Sequence, residues 1–156
     1  MQNLTLNELA GEGERLCKLG DCQNGLRYFE EALKVYNDMK LLDGYGSNSD
    51  CHSIMTNSTE NDRYRLLQTI SIIYNQMGNA HFYLQNYEKA LYYHKKDLEI
   101  SERFNDEPGK AKACGNIGNT LQLLGDYDEA ILYSLRNLDI SIKLNDLVII
   151  TLCLAI

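Results

Sequence analysis

The sequence predicts an all-α protein, a right-handed solenoid of antiparallel helix pairs about three pairs long, with a long disordered loop between the first pair and the second. Three observations carry this. A stretch of the chain recurs at a constant offset of 40 residues: Gly78 matches Gly118, Asn79 matches Asn119, Tyr87 matches Tyr127, Ala90 matches Ala130, and Asn105-Asp106 matches Asn145-Asp146. Within each copy, apolar residues return every three or four positions, the period of one helix face. The chain has one proline in 156 residues, as expected where helix interiors dominate.

The opening repeat, residues 1–42, is atypical. Thr5-Leu-Asn-Glu8 has the form of a capping box, in which Thr5 and Glu8 satisfy each other's backbone N–H groups at a helix start. Leu6, Leu9, Gly13, Leu16 and Cys17 then fall on one face. Leu19-Gly20-Asp21-Cys22 is a turn into a second helix carrying Leu26, Phe29, Leu33 and Tyr36, with Gly25 at the position held later by Ala130. Gly20 lies 65 residues before its counterpart Gln85, so about 25 residues are extra. Most of them fall in residues 43–62, rich in Ser, Asn, Asp and Gly, whose composition cannot support a packed core and predicts a mobile insertion loop.

Residues 63–105 form the second repeat. Ile70, Ile73, Tyr74, Met77 and Leu84 stripe its first helix, and Ala90, Leu91, His94 and Leu98 its second. Gln85-Asn86 replaces Gly-Asp at the turn between them, where Asn tolerates a left-handed backbone. The third repeat, 106–146, opens on Asp106-Glu107-Pro108, with an acidic cap and a proline at an early position where its missing N–H costs nothing. Ala111, Cys114, Ile117, Leu121 and Leu124 make its first stripe, and Gly118, with no Cβ, marks a close helix contact. Gly125-Asp126 ends that helix and caps the next, which carries Ala130, Ile131, Ser134 and Leu138. The run Leu147–Ile156 is an apolar tail at the register where a fourth repeat begins, a truncated start, and is too short for the ~20 residues that span a bilayer.

Composition narrows the function. A formal net charge of −7 repels phosphate backbones and anionic lipid, so nucleic acid is an unsuitable partner. The five cysteines (17, 22, 51, 114 and 153) are odd in number and include no C-x-x-C, so a reducing compartment is the default, and Cys17, Cys114 and Cys153, among apolar neighbours, read as small core residues. Met1–Ala10 has neither a basic nor an apolar segment of a secretory leader.

Ile117-Gly-Asn-x-x-x-x-x-Gly-Asp-Tyr-x-x-Ala130 follows the tetratricopeptide-repeat pattern with one conservative change. Gly11-Glu-Gly-Glu-Arg-Leu-Cys-Lys-Leu-Gly-Asp-Cys22, Gly78-Asn-Ala-His-Phe-Tyr-Leu84, Lys89-Ala-Leu-Tyr-Tyr-His94, Ala111–Leu121 and Leu138-Asp-Ile-Ser141 closely resemble the Pins/LGN family, the Partner of Inscuteable-like G-protein-signalling modulators. The resemblance covers residues 6–146 apart from the loop. It implies a scaffold for spindle orientation and cell polarity, cytoplasmic and recruited to the cell cortex, whose repeats bind extended segments of Inscuteable-type and NuMA/Mud-type proteins. Family members bind Gα through C-terminal GoLoco motifs, and no such motif occurs in this chain.

On such a superhelix the first helix of each pair lines the concave face. The peptide-binding candidates are the positions beside the core stripes: Asn75, Asn79, Phe82 and Tyr83 in the second repeat, and Lys112, Asn116, Asn119 and Gln122 in the third. Amides both donate and accept, so Asn79 and Asn119 suit a peptide backbone whatever its side chains. The alternative for each is a bond to a neighbouring helix.

Other functions fit less well. A co-chaperone-type adaptor, clamping the C-terminal carboxylate of a chaperone tail, needs Lys and Asn on the first helix, where Ala10 and Glu14 stand. For an enzyme, His94 and Asp97 share a helix face but lack a third metal ligand at fitting spacing, and Gly44-Tyr-Gly46 lacks the strand and basic residue of a phosphate loop. His81 matches Leu121 and reads as a packed residue. No cofactor or catalytic residue is indicated. Self-association through an uncapped C-terminal end is a further expectation.

Overall fold

The computed structural model describes residues 4–44 and 60–144. They form six helices: α1 (Leu6–Lys18), α2 (Cys22–Gly44), α3 (Glu60–Tyr83), α4 (Tyr87–Arg103), α5 (Glu107–Leu124) and α6 (Tyr127–Lys143). No strand occurs among the described residues. Of the span read as an insertion loop, Asp43 and Gly44 belong to α2 and Glu60–Asp62 to α3, while residues 45–59 lie outside the described residues, as does the apolar tail 147–156. The chain divides into two compact units, residues 1–73 and 74–156, and α3 contributes to both.

In the first unit, α1 begins on the expected capping box. The Thr5 hydroxyl accepts from the Glu8 N–H at 3.3 Å, and a Glu8 carboxylate oxygen accepts from the Thr5 N–H at 2.7 Å. Leu6, Leu9 and Gly13 are buried against α2, whose Cys22, Leu26, Phe29, Ala32 and Tyr36 return at helical spacing. The helices approach closely: a Cβ on Gly13 would stand 2.7 Å from the Phe29 ring, and one on Gly25 would stand 2.5 Å from Cys17 Sγ. Glycine at both positions lets Phe29, 1% exposed, fill the space between the helices.

In the second unit, α5 packs between α4 and α6. Its core joins Leu98 of α4, Ala113, Cys114, Ile117 and Leu121 of α5 and Ala130 of α6, with Leu91 and Tyr133 against it. Each fully buried aliphatic here is worth ~1.5–3 kcal/mol. The α3 segment of this unit buries Met77 and Ala80. Asp106 caps α5 by accepting from the Gly109 N–H at 3.1 Å, with Pro108 in the first turn. Gly125, at φ 83°, ends α5, and Asp126 accepts from the Glu129 N–H to start α6.

Two expectations need correction. At the α3–α4 turn the left-handed residue is Gln85, at φ 59°, and not Asn86, which has φ −90° at the α4 N-cap. Gln85 occupies the position of Gly125, and the turn closes through Gln85 N–H to Phe82 O and Asn86 N–H to His81 O. The α6 stripe is also only partly buried. Ala130 is covered, but Ile131 is 56% exposed, because α5 covers the equivalent Leu91 whereas no described helix lies over that side of α6.

Candidate functional site

The eight candidate residues all lie in the second unit, four on α3 and four on α5. Helix α4 packs against both of the helices that carry them. It meets α3 through Asp97 and His94, and α5 through Leu98.

On α3, Asn75 is 3% exposed and turned into the helix pair. Its Nδ2 donates to Asp97 Oδ2 at 3.1 Å, and its Oδ1 accepts from Asn79 Nδ2 at 3.4 Å. Asn79, half-buried one turn further on, therefore spends one donor on Asn75 and keeps its carbonyl oxygen as an acceptor. Phe82 is half-buried, its ring edge-on to Tyr87 at 5.6 Å and to Tyr83 at 6.4 Å. Tyr83 is the most open of the group, 76% exposed.

On α5, Lys112, Asn119 and Gln122 are exposed and Asn116 is half-buried. The Asn119 amide makes no hydrogen bond among the described residues. Asn116 Nδ2 is buried without a hydrogen-bond partner, while its backbone carbonyl accepts from the Thr120 hydroxyl at 2.7 Å. Positions 112, 116 and 119 are one turn apart in succession, so two amides and an ammonium follow one another along a single face. Gln122 also lines a groove of about 370 Å³ along α5 and α6, with Tyr127, Ile131, Ser134, Leu135 and Leu138. No hydrogen bond or ring contact among the described residues joins the α3 group to the α5 group.

Beneath this face the support differs between the two repeats. Asp97 of α4 corresponds to Asn137 of α6, and Asn75 to Gly115. In the third repeat the Asn137 amide covers the glycine directly: a Cβ on Gly115 would stand 3.0 Å from Asn137 Nδ2. The Ser141 hydroxyl donates to Asn137 O at 2.8 Å and to its Oδ1 at 3.3 Å. So Asn79 is tied to a buried carboxylate through Asn75, whereas Asn119 has no such tether.

His94 fills the space that Gly78 leaves, and is 1% exposed. Burial, reinforced by the positive charge of Lys112, pulls its pKa down to about 4, so the ring is neutral at physiological pH. His81 is 6% exposed and stacks on Tyr93 with ring centroids 5.4 Å apart, consistent with the packed role expected of it, and Tyr74 stacks on Tyr93 at 6.2 Å. No group of three or more His, Cys, Asp or Glu side chains is gathered for a metal among the described residues. Nor is any helix among them long and apolar enough to cross a membrane.

Sequence reasoning missed Asp97 and Asn137 as supports. Their signal was present: a polar residue recurs at the same register of both second helices, next to Leu98 and Leu138 on the core-facing side.

The tetratricopeptide-repeat family model matches residues 69–143, which contain both groups of site residues. The chain is 43% identical over 115 residues to the human G-protein-signaling modulator 1, a match that takes in 74% of this chain and 13% of that protein. Its Rattus norvegicus counterpart is 43% identical over 110 residues, 70% of this chain and 12% of that one. The chain thus spans about an eighth of the length of these relatives. Among solved structures, the N-terminal domain of stress-induced protein-1 (STI-1) from C. elegans superposes with a TM-score of 0.64, covering 95% of this chain and 91% of that one at 15% identity. At that identity the likeness is one of fold.

Proposed function

We propose that this chain, a Pins/LGN-like tetratricopeptide-repeat protein, is a protein-binding scaffold whose α3 and α5 faces hold an extended peptide segment of an Inscuteable-type or NuMA/Mud-type partner, in spindle orientation and cell polarity. The observation that carries the proposal is the pair Asn79 and Asn119. The same residue type stands at the same register of two first helices, outside the core stripe, with hydrogen-bonding capacity to spare. A primary amide can accept from a peptide N–H and donate to a peptide carbonyl, so a row of them grips an extended backbone that has no partner strand. Asn75 and Asp97 hold the first amide in place. Lys112, on the α5 row, adds a positive charge suited to an acidic residue of the peptide. Phe82 and Tyr83 supply an aromatic margin for an apolar side chain. A cytoplasmic location with recruitment to the cortex, and Gα engagement through motifs elsewhere in a longer chain, belong to the same proposal.

The test is a fluorescence-anisotropy titration of labelled Inscuteable-type and NuMA-type peptides, with a free C-terminal chaperone tail as the competing class. The Asn79→Ala/Asn119→Ala double change removes two neutral hydrogen bonds of ~0.5–1.5 kcal/mol each, and weakens binding by about tenfold while helicity holds. Unaltered affinity would remove the amides from the site. Binding of the chaperone tail alone would replace the partner class.

A further inference from the structure

The α1–α2 turn brings two thiols together. Cys17 lies in the last turn of α1 and Cys22 is the first residue of α2, with residues 18–21 between them. The turn is tightly made: the Gly20 N–H donates to Cys17 O at 3.0 Å and the Asp21 N–H to Leu16 O at 3.0 Å, with Gly20 at φ 87°. Cys17 Sγ points at α2, over Gly25. Gly25 is one helical turn beyond Cys22 on the same face, so both sulfurs occupy the seam between the helices. Both are free thiols, Cys22 buried and Cys17 half-exposed.

We propose that Cys17 and Cys22 form a reversible intramolecular disulfide, an oxidant-responsive clasp across the first helical turn. Two thiols that a tight turn sets in one helix seam are placed to be bridged, and Gly25, having no Cβ, leaves room for the Cys17 sulfur beside α2. The oxidant is a small disulfide of the oxidised-glutathione class. Cys17, the more accessible of the pair, attacks one sulfur of it, forming a mixed disulfide and releasing one glutathione thiolate. Cys22 then attacks the Cys17 sulfur, and the second glutathione leaves. Two protein thiols are oxidised to one S–S bond, one glutathione disulfide is reduced to two thiols, and the two protons pass to the departing sulfurs. Burial, with the neighbouring Cys22 and Asp21, pushes the Cys17 thiol up to about 11, so the reaction is slow at neutral pH and the pair rests reduced until exposure to oxidant is sustained.

The experiment treats the reduced chain with oxidised glutathione, caps remaining thiols with iodoacetamide, and maps tryptic peptides without reduction. Lys18 is the one tryptic site between the two cysteines, so the bridge joins the peptide 16–18 to the peptide 19–27. The expected result is that linked pair as the main product, lost on adding dithiothreitol, with the oxidised chain melting roughly 4–8 °C above the reduced one. In Cys22→Ser, Cys17 should stop at the glutathione adduct. Wild-type chain found with both thiols alkylated, with a lasting Cys17–glutathione adduct, or with Cys17 joined to Cys51, Cys114 or Cys153, would overturn the proposal, as would a melting point that does not rise.

Discussion

Asn75 of α3 donates a buried hydrogen bond to the Asp97 carboxylate of α4, 3.1 Å away, and accepts one from Asn79. One side chain therefore links the interior of a helix pair to a residue at the proposed peptide face. Stability and recognition meet there.

The Asn75→Ala chain leaves a carboxylate that is 4% exposed short of a donor. Removing one member of a buried polar pair costs about 1–3 kcal/mol. Urea unfolding should show that loss as a lower midpoint with unchanged slope. Since Asn79 loses its tether as well, peptide affinity should also fall, although Asn75 itself is buried.

Gly78 and Gly118 occupy equivalent positions and should not respond alike to alanine. A Cβ on Gly78 would run into the His94 ring, which is enclosed and cannot retreat. A Cβ on Gly118 would stand 3.0 Å from the Ser134 hydroxyl, which can rotate aside. Gly78→Ala should cost ~1–3 kcal/mol and Gly118→Ala clearly less, as read from thermal melts of the two variants. Equal losses would mean that the histidine is not the obstacle.

His94 sets a pH dependence whose sign is fixed. Its pKa falls from an ordinary value of ~6.5 to about 4 on folding, so between those values the unfolded chain binds the extra proton. The stabilisation that goes with a neutral ring is complete above pH ~6.5 and is lost as the pH drops toward 4. The whole change is roughly 3 kcal/mol. Urea midpoints for the wild type should slope downward between pH 6.5 and pH 4.5, and His94→Gln should flatten that slope.

Gln85 holds a left-handed backbone at φ 59° with a side chain attached, where the third repeat has Gly125. That conformation costs a residue with a Cβ ~1–2 kcal/mol. Gln85→Gly should therefore stabilise the chain, by roughly 0.5–1 kcal/mol after the greater chain entropy of glycine in the unfolded state, and differential scanning calorimetry would register the gain.

The helix pairs were legible because caps and core stripes are local or periodic signals. Thr5-x-x-Glu8, Asp106-Glu107-Pro108 and Gly125-Asp126 each state a helix end through residues that satisfy backbone groups on the spot. The site was less legible. A 3.6-residue period places Asn75 beside the core stripe but does not say which side of it is covered, and the answer depends on Asp97, 22 positions away on another helix. The turn at Gln85 was misassigned because side-chain preference favoured Asn, while the register set by Gly125 decided which residue takes the positive φ. Ile131 reads as core-facing because its counterpart Leu91 packs against the core; burial is conferred by the helix laid on top, which no feature of Ile131 itself records.

Lys95 pairs with Glu129, and Arg136 with Glu102, each partner 34 positions from the other, so both pairs run from α4 to α6. Exposed pairs of this kind add little to the free energy of folding. Their geometry is another matter, since a slip of one helical turn along the axis is ~5.4 Å and would part both at once. They serve as a vernier between two rods that do not depend on them for strength, fixing where along its length one comes to rest against the other.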